Sequence, residues 1–115
     1  MAVITLWHNP RCSKSRQALA LLENRGASVT TRRYLDDAPS LAELRAALAL
    51  LGLKPADILR TGEAMFKTLG LSKTMPDDTL LAAMAENPIL IERPIALTAT
   101  AAAIGRPSEN VLYLL

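Results

Sequence analysis

The chain has 115 residues, half of them hydrophobic, with 13 Lys/Arg against 11 Asp/Glu. That length suits one domain, residues 1–115, able to bury a core without staples, and the composition excludes a disordered chain. A single cysteine excludes a disulfide within the chain and suits a reducing cytoplasm. Residues 1–6 lack the basic start and long apolar stretch of a signal peptide, and no apolar run approaches the roughly 18–20 residues of a spanning helix, so a cytoplasmic protein without membrane attachment is expected.

Charge is unevenly spread. Residues 1–33 hold six Lys/Arg against one acid, whereas residues 34–92 hold nine acids against five bases. The positive excess surrounds Cys12, as an anionic substrate would require. A nucleic-acid surface would want more bases and more aromatics to stack on than Trp7, Tyr34, Phe66 and Tyr113, so nucleic-acid binding is not expected.

In chain order, Val3–Trp7 reads as a buried strand. An Asn9-Pro10 turn follows, then a helix to about Arg25 that Gly26 closes. Val29–Leu35, rich in Val, Thr and Tyr, reads as a second strand. Ser40-Leu41-Ala42-Glu43 is a capping box opening a helix whose Leu41, Leu44, Leu48 and Leu51 share one face, ended by Gly52. Short helical pieces are expected at Ala56–Arg60 and Glu63–Leu69, and a longer helix over Asp77–Glu86 that Asn87-Pro88 stops. Ile95–Thr98 and Ala101–Ile104 read as a strand hairpin. Pro107 then starts a last helix with Val111, Leu112, Leu114 and Leu115 on its buried side. The order β-α-β, helical insert, β-β-α predicts an α/β thioredoxin-like fold with a mixed four-stranded sheet.

The chemistry centres on Cys12. A cysteine on a strand-to-helix turn faces the first free N–H groups of the helix, which favour a thiolate and cradle an anion. Arg11, Lys14 and Arg16 add positive charge. A lone cysteine is often just a small buried hydrophobe, but Arg-Cys-Ser-Lys-Ser-Arg is poor company for a core position. Ser15 stands where a second cysteine would make a dithiol motif, which excludes dithiol chemistry. Its hydroxyl is placed either to donate to the thiolate or as a tolerated small polar residue. His8, the one histidine, is either a group that tunes or deprotonates the thiol or an exposed loop residue. One His and one Cys do not make a zinc site, and no metal is expected. Arg60, Arg93 and Arg106 are candidate anion ligands. Arg93 and Arg106 each precede a proline, which pushes them toward extended backbone at a strand entry or loop. The alternative for each arginine is a solvated surface charge.

Five segments together resemble the glutaredoxin-linked arsenate reductase family, in a short single-cysteine form. They are His8–Arg16, Ile58-Leu59-Arg60, Asn87-Pro88-Ile89-Leu90, Glu92-Arg93-Pro94-Ile95 and Gly105-Arg106-Pro107-Ser108-Glu109. The resemblance implies that Cys12 is the nucleophile, that His8 and Ser15 tune it, and that Arg60, Arg93 and Arg106 hold the oxyanion, with Arg16 beside them. It also implies a cis Arg93-Pro94 bond. The implied reaction reduces arsenate to arsenite, with glutathione as co-substrate, glutaredoxin as electron donor and no bound cofactor. The chain departs from the best-known members at Ser13-Lys14, where they have Gly-Thr, and it lacks their longer C-terminal tail. Two alternatives use the same sequence differently. One is a glutathione-dependent thiol reductase acting on mixed disulfides; the other is a non-enzymatic regulator binding RNA polymerase, for which Ser15 would remove the usual disulfide switch.

Overall fold

In the computed structural model, which describes residues 3–115, the first strand β1 (Val3–Trp7) is central. It pairs in parallel with β2 (Ser28–Arg32) and antiparallel with β3 (Ile95–Leu97), which pairs antiparallel with β4 (Ala102–Ile104). The resulting mixed four-stranded sheet has the order β2-β1-β3-β4. This is the expected thioredoxin-like arrangement. Met1 and Ala2 lie outside the described residues.

The chain forms two compact units: one from the segment up to Asp37 with Arg93–Leu115, the other from Ala38–Glu92. The first contains the sheet and helix α1 (Ser13–Asn24). Its core is Ile4 and Leu6 of β1, Ala18 and Leu22 of α1, Ala96 of β3 and Val111, all fully buried. Alternation along β1 and the i, i+4 spacing on α1 bring these apolar faces together. Gly26 ends α1 at φ 77°, and the N–H of Ala27 reaches back to Leu22 O at 3.1 Å, the backbone return that favours glycine there.

β2 stops at Arg32, short of the expected Leu35. Asp36 N and Asp37 N both donate to Arg33 O, at 3.0 and 2.9 Å, so the chain turns there. Arg32 holds the turn through an ion pair with Asp37 at 3.3 Å. The acidic residues after the β-rich run thus override its strand preference.

The second unit is the helical insert. α2 (Leu41–Leu51) opens with the expected capping box, Glu43 N donating to Ser40 Oγ at 3.1 Å and Ser40 N to Glu43 Oε1 at 3.0 Å. It buries Leu44, Ala47 and Leu48 and packs against α4 (Asp77–Glu86), whereas Leu41, in its first turn, is exposed. Between them lie a 3₁₀ turn (Pro55–Ile58) and the five-residue α3 (Ala64–Thr68); a further 3₁₀ turn covers Pro88–Leu90.

The C-terminal helix differs from expectation. Ser108–Leu114 is 3₁₀, with three residues per turn, so Ser108, Val111 and Leu114 align on one side. Val111 is fully buried and Leu114 packs on the same core, while Leu115 is 48% exposed. Leu112 is half-buried like Leu114, and it is Leu115, just past the helix, that leaves the buried face.

Just before this helix, a Cβ added at Gly105 would lie 2.7 Å from Pro94 Cγ and 3.2 Å from Val111 Cγ1. Gly105→Ala is therefore expected to cost about 1–3 kcal/mol of stability by overpacking, read as a lower urea midpoint.

Candidate active site

The sheet gathers the site at one end. β2 is parallel to β1 and β3 is antiparallel to it, so the ends of β1 and β2, the start of β3 and the end of β4 lie together, through the pairs Trp7↔Arg32, Trp7↔Ile95 and Ile95↔Ile104. The segment after β1 carries Cys12. Arg93 precedes β3 by the same two residues by which Arg106 follows β4, so the hairpin register sets the two arginines side by side. Both arginines precede cis prolines.

The turn from β1 into α1 is heavily bonded. Cys12 N donates to Asn9 O and Arg11 N to Asn9 Oδ1, both at 3.0 Å. Cys12 is the N-cap residue of α1, extended at φ −95° and ψ 122°, with no side-chain bond closing the helix end. Its own carbonyl accepts the first helical bond, from Arg16 N at 3.0 Å. Cys12 is 9% exposed, and its sulfur receives Arg106 Nη2 at 3.8 Å. A cationic donor beside the sulfur, at a helix start, suits an incoming oxyanion. Among the described residues no group of three His, Cys, Asp or Glu side chains could hold a metal.

His8 is buried, which removes the exposed-loop alternative. Its Nδ1 meets Ser15 Oγ at 2.6 Å, and Ser15 Oγ also accepts from Asn9 N at 3.0 Å. Ser15 is fully buried. Its hydroxyl is engaged by His8 and the turn rather than by the cysteine. Both residues therefore position Cys12 by fixing the segment between them. Burial, then the Arg33 and Arg16 guanidiniums, hold the His8 imidazole below its ordinary value of 6.5.

Arg106 is steered by the loop that carries it. Its Nε donates to Arg93 O at 2.8 Å, Gly105 N donates to Pro94 O at 2.9 Å, and Asn110 Nδ2 donates to Arg106 O at 3.1 Å. Ser108 Oγ reaches the Lys14 carbonyl at 3.3 Å and the Gln17 side-chain amide oxygen at 2.9 Å, tying this loop to the first turns of α1. Sequence reasoning gave Ser108 no such role; its place three residues before Val111 was the available signal. In Arg93, Nε and Nη1 are buried. Arg16 turns back on the loop, its Nη1 donating to Pro10 O at 2.9 Å. Arg60 belongs to the second unit. Its N–H donates to Leu90 O at 2.8 Å beside the Leu59↔Ile91 bridge, and its guanidinium pairs with Glu63.

Fold and site together define a thioredoxin-like protein organised around one helix-capping cysteine and a pair of adjacent arginines. The ArsC family model matches residues 7–114, and the chain belongs to that family. It is 47% identical over 113 residues to the arsenate reductase of Neisseria meningitidis serogroup A, covering 96% of this chain and 97% of that one. It is 42% identical over 113 residues to the arsenate reductase of Rhizobium meliloti, covering 97% and 81%. The structure of the arsenate reductase from Vibrio cholerae aligns with a TM-score of 0.94 at 45% identity, over 99% of this chain and 98% of that one.

The one histidine makes its titration directly observable. An NMR titration of the His8 ring is expected to give a midpoint below 6.5. Between the folded value and about 6.5 the unfolded chain binds more protons, so this group's contribution to stability falls as pH drops through that window. Urea unfolding at pH 7.5 and 5.5, in wild type and His8→Gln, checks the sign: the variant should lose less stability on acidification. Ser15→Ala should cost about 1–3 kcal/mol, because it strands the Asn9 N–H and the buried imidazole.

Proposed function

We propose that this protein reduces arsenate to arsenite through Cys12, drawing electrons from glutathione and glutaredoxin. The observation carrying this reading is the Cys12 sulfur at the α1 N-terminus with Arg106 Nη2 3.8 Å away. The family membership and the names of the similar proteins support arsenate as the substrate.

In the first step the Cys12 sulfur displaces one arsenate oxygen as water, giving Cys12–S–AsO₃H⁻ from the thiol and H₂AsO₄⁻. Arg106 and Arg93 neutralise the oxyanion, each guanidinium able to donate a pair of hydrogen bonds to neighbouring oxygens. The family resemblance assigns Arg16 and Arg60 as further anion contacts. Glutathione then condenses on arsenic, a second water leaves, and a Cys12–S–As–S–glutathione species results. A glutaredoxin thiol attacks the glutathione sulfur. The As–S bond breaks, its electron pair reduces As(V) to As(III), and a glutaredoxin–glutathione disulfide departs. Water releases H₂AsO₃⁻ and restores the Cys12 thiol. The chain needs one cysteine because the other sulfurs arrive on the co-substrates.

The assay is NADPH oxidation with arsenate, glutathione, glutaredoxin and glutathione reductase. Cys12→Ser is expected to abolish turnover. Arg106→Ala or Arg93→Ala should raise the arsenate requirement roughly 10- to 150-fold, the equivalent of about 1.5–3 kcal/mol for a charge-assisted contact. Absence of arsenate-dependent turnover in wild type, with reduction of a glutathione mixed disulfide in its place, would transfer the same cysteine to the thiol-reductase alternative. Capture of RNA polymerase subunits by a protein with no turnover at all would favour the regulator.

A further inference from the structure

The oxyanion arginines reach the Cys12 turn from the β3–β4 side. On the other side of β1, a cleft of about 210 Å³ opens between that turn and the loop after β2. One wall is Asn9-Pro10-Arg11, which ends in Cys12; the other is Arg33, Leu35 and Asp36, with His8 at the base. The walls are fixed relative to each other, because His8 N donates to Arg32 O at 2.7 Å and the Arg33–Asp37 turn closes on Arg33 O. Arg11 is held by the Asn9 side chain through its own N–H. The side chains of Arg11, Arg33 and Asp36 are exposed and form no ion pair among the described residues.

The cleft thus presents a pair of guanidiniums and one carboxylate, with the wall residue Arg11 directly preceding the reacting Cys12 in the chain. The proposed reaction needs a diffusing thiol to approach arsenic on Cys12. Glutathione carries a pair of carboxylates and one ammonium, the complement of that set. We infer that this cleft seats the glutathione co-substrate, with Arg33 and Arg11 taking its carboxylates and Asp36 its ammonium, so that its sulfur arrives along the Arg11–Cys12 turn. This inference rests on the reductase reading. Arg–carboxylate pairs supply both affinity and orientation here, and an oriented thiol reacts faster than a freely diffusing one.

The test separates binding from turnover by using S-methylglutathione, which cannot react. Titrated into ¹⁵N-labelled wild type, it should shift the amides of Arg11, Arg33 and Asp36. Arg33→Glu should weaken that binding at least about tenfold, as expected for reversing one charged contact. In the coupled assay the same variant should raise the glutathione requirement by a similar factor and leave the arsenate requirement within about twofold. With excess 2-mercaptoethanol, which has no carboxylate, in place of glutathione, arsenite formation measured directly should match wild type. Shifts confined to other residues, or S-methylglutathione binding indifferent to Arg33→Glu, would overturn the cleft assignment even if arsenate is reduced. Binding at the cleft that Arg33→Glu abolishes, in a protein that does not turn over arsenate, would uphold the cleft and discard arsenate.

Discussion

The Ser15 hydroxyl is the contact on which the site depends. It sits in the first turn of α1, fully buried, and bonds backward to Asn9 N and to His8 Nδ1. A buried hydroxyl without partners is costly, so this position is stable only when the preceding turn adopts one conformation. That conformation delivers the Cys12 N–H to Asn9 O and leaves the sulfur at the head of the helix. The side chain that replaces a second thiol therefore shapes the loop bearing the first.

The sheet supplies the remaining order. Antiparallel pairing of β3 and β4 makes neighbours of two arginines thirteen residues apart in sequence. Their alignment relies on backbone contacts: the Arg93 carbonyl accepts one guanidinium N–H of Arg106, and Gly105 leaves room for Pro94. Parallel pairing of β1 with β2 brings Arg33 and Asp36 to the same end from the opposite side. Strand order thus places Arg93 and Arg106 on one side of β1 and Arg33 and Asp36 on the other.

Features set by local interactions were legible in the sequence. β1, the α1 stop at Gly26 and the Ser40–Glu43 capping box each depend on residues within a few positions of one another. Features set by competition were not. The Val29–Leu35 run carries strand preference throughout, yet the Asp36 and Asp37 amides capture Arg33 O and curl the chain first. The last segment satisfies a helical pattern at both 3.0 and 3.6 residues per turn over so short a length. Docking of Val111 and Leu114 on the sheet core selects the tighter one. At the site, residue types pointed to Cys12 and the arginines, but the partner of a hydroxyl is a matter of geometry. Lying one helical turn from Cys12, Ser15 could by spacing either donate to the sulfur or sit there as a tolerated small polar residue, and its hydroxyl instead bonds His8 Nδ1 and Asn9 N.

Trp7 gives this arrangement an optical dimension. It is the only tryptophan, lies 3% exposed at the end of β1, and pairs with Arg32 and Ile95, the residues from which both flanking loops depart. An indole sealed there is shielded from water, so its emission changes when that junction opens. The chain thus carries an intrinsic, label-free fluorophore at the junction of its charged loops, with no second tryptophan to blur the signal.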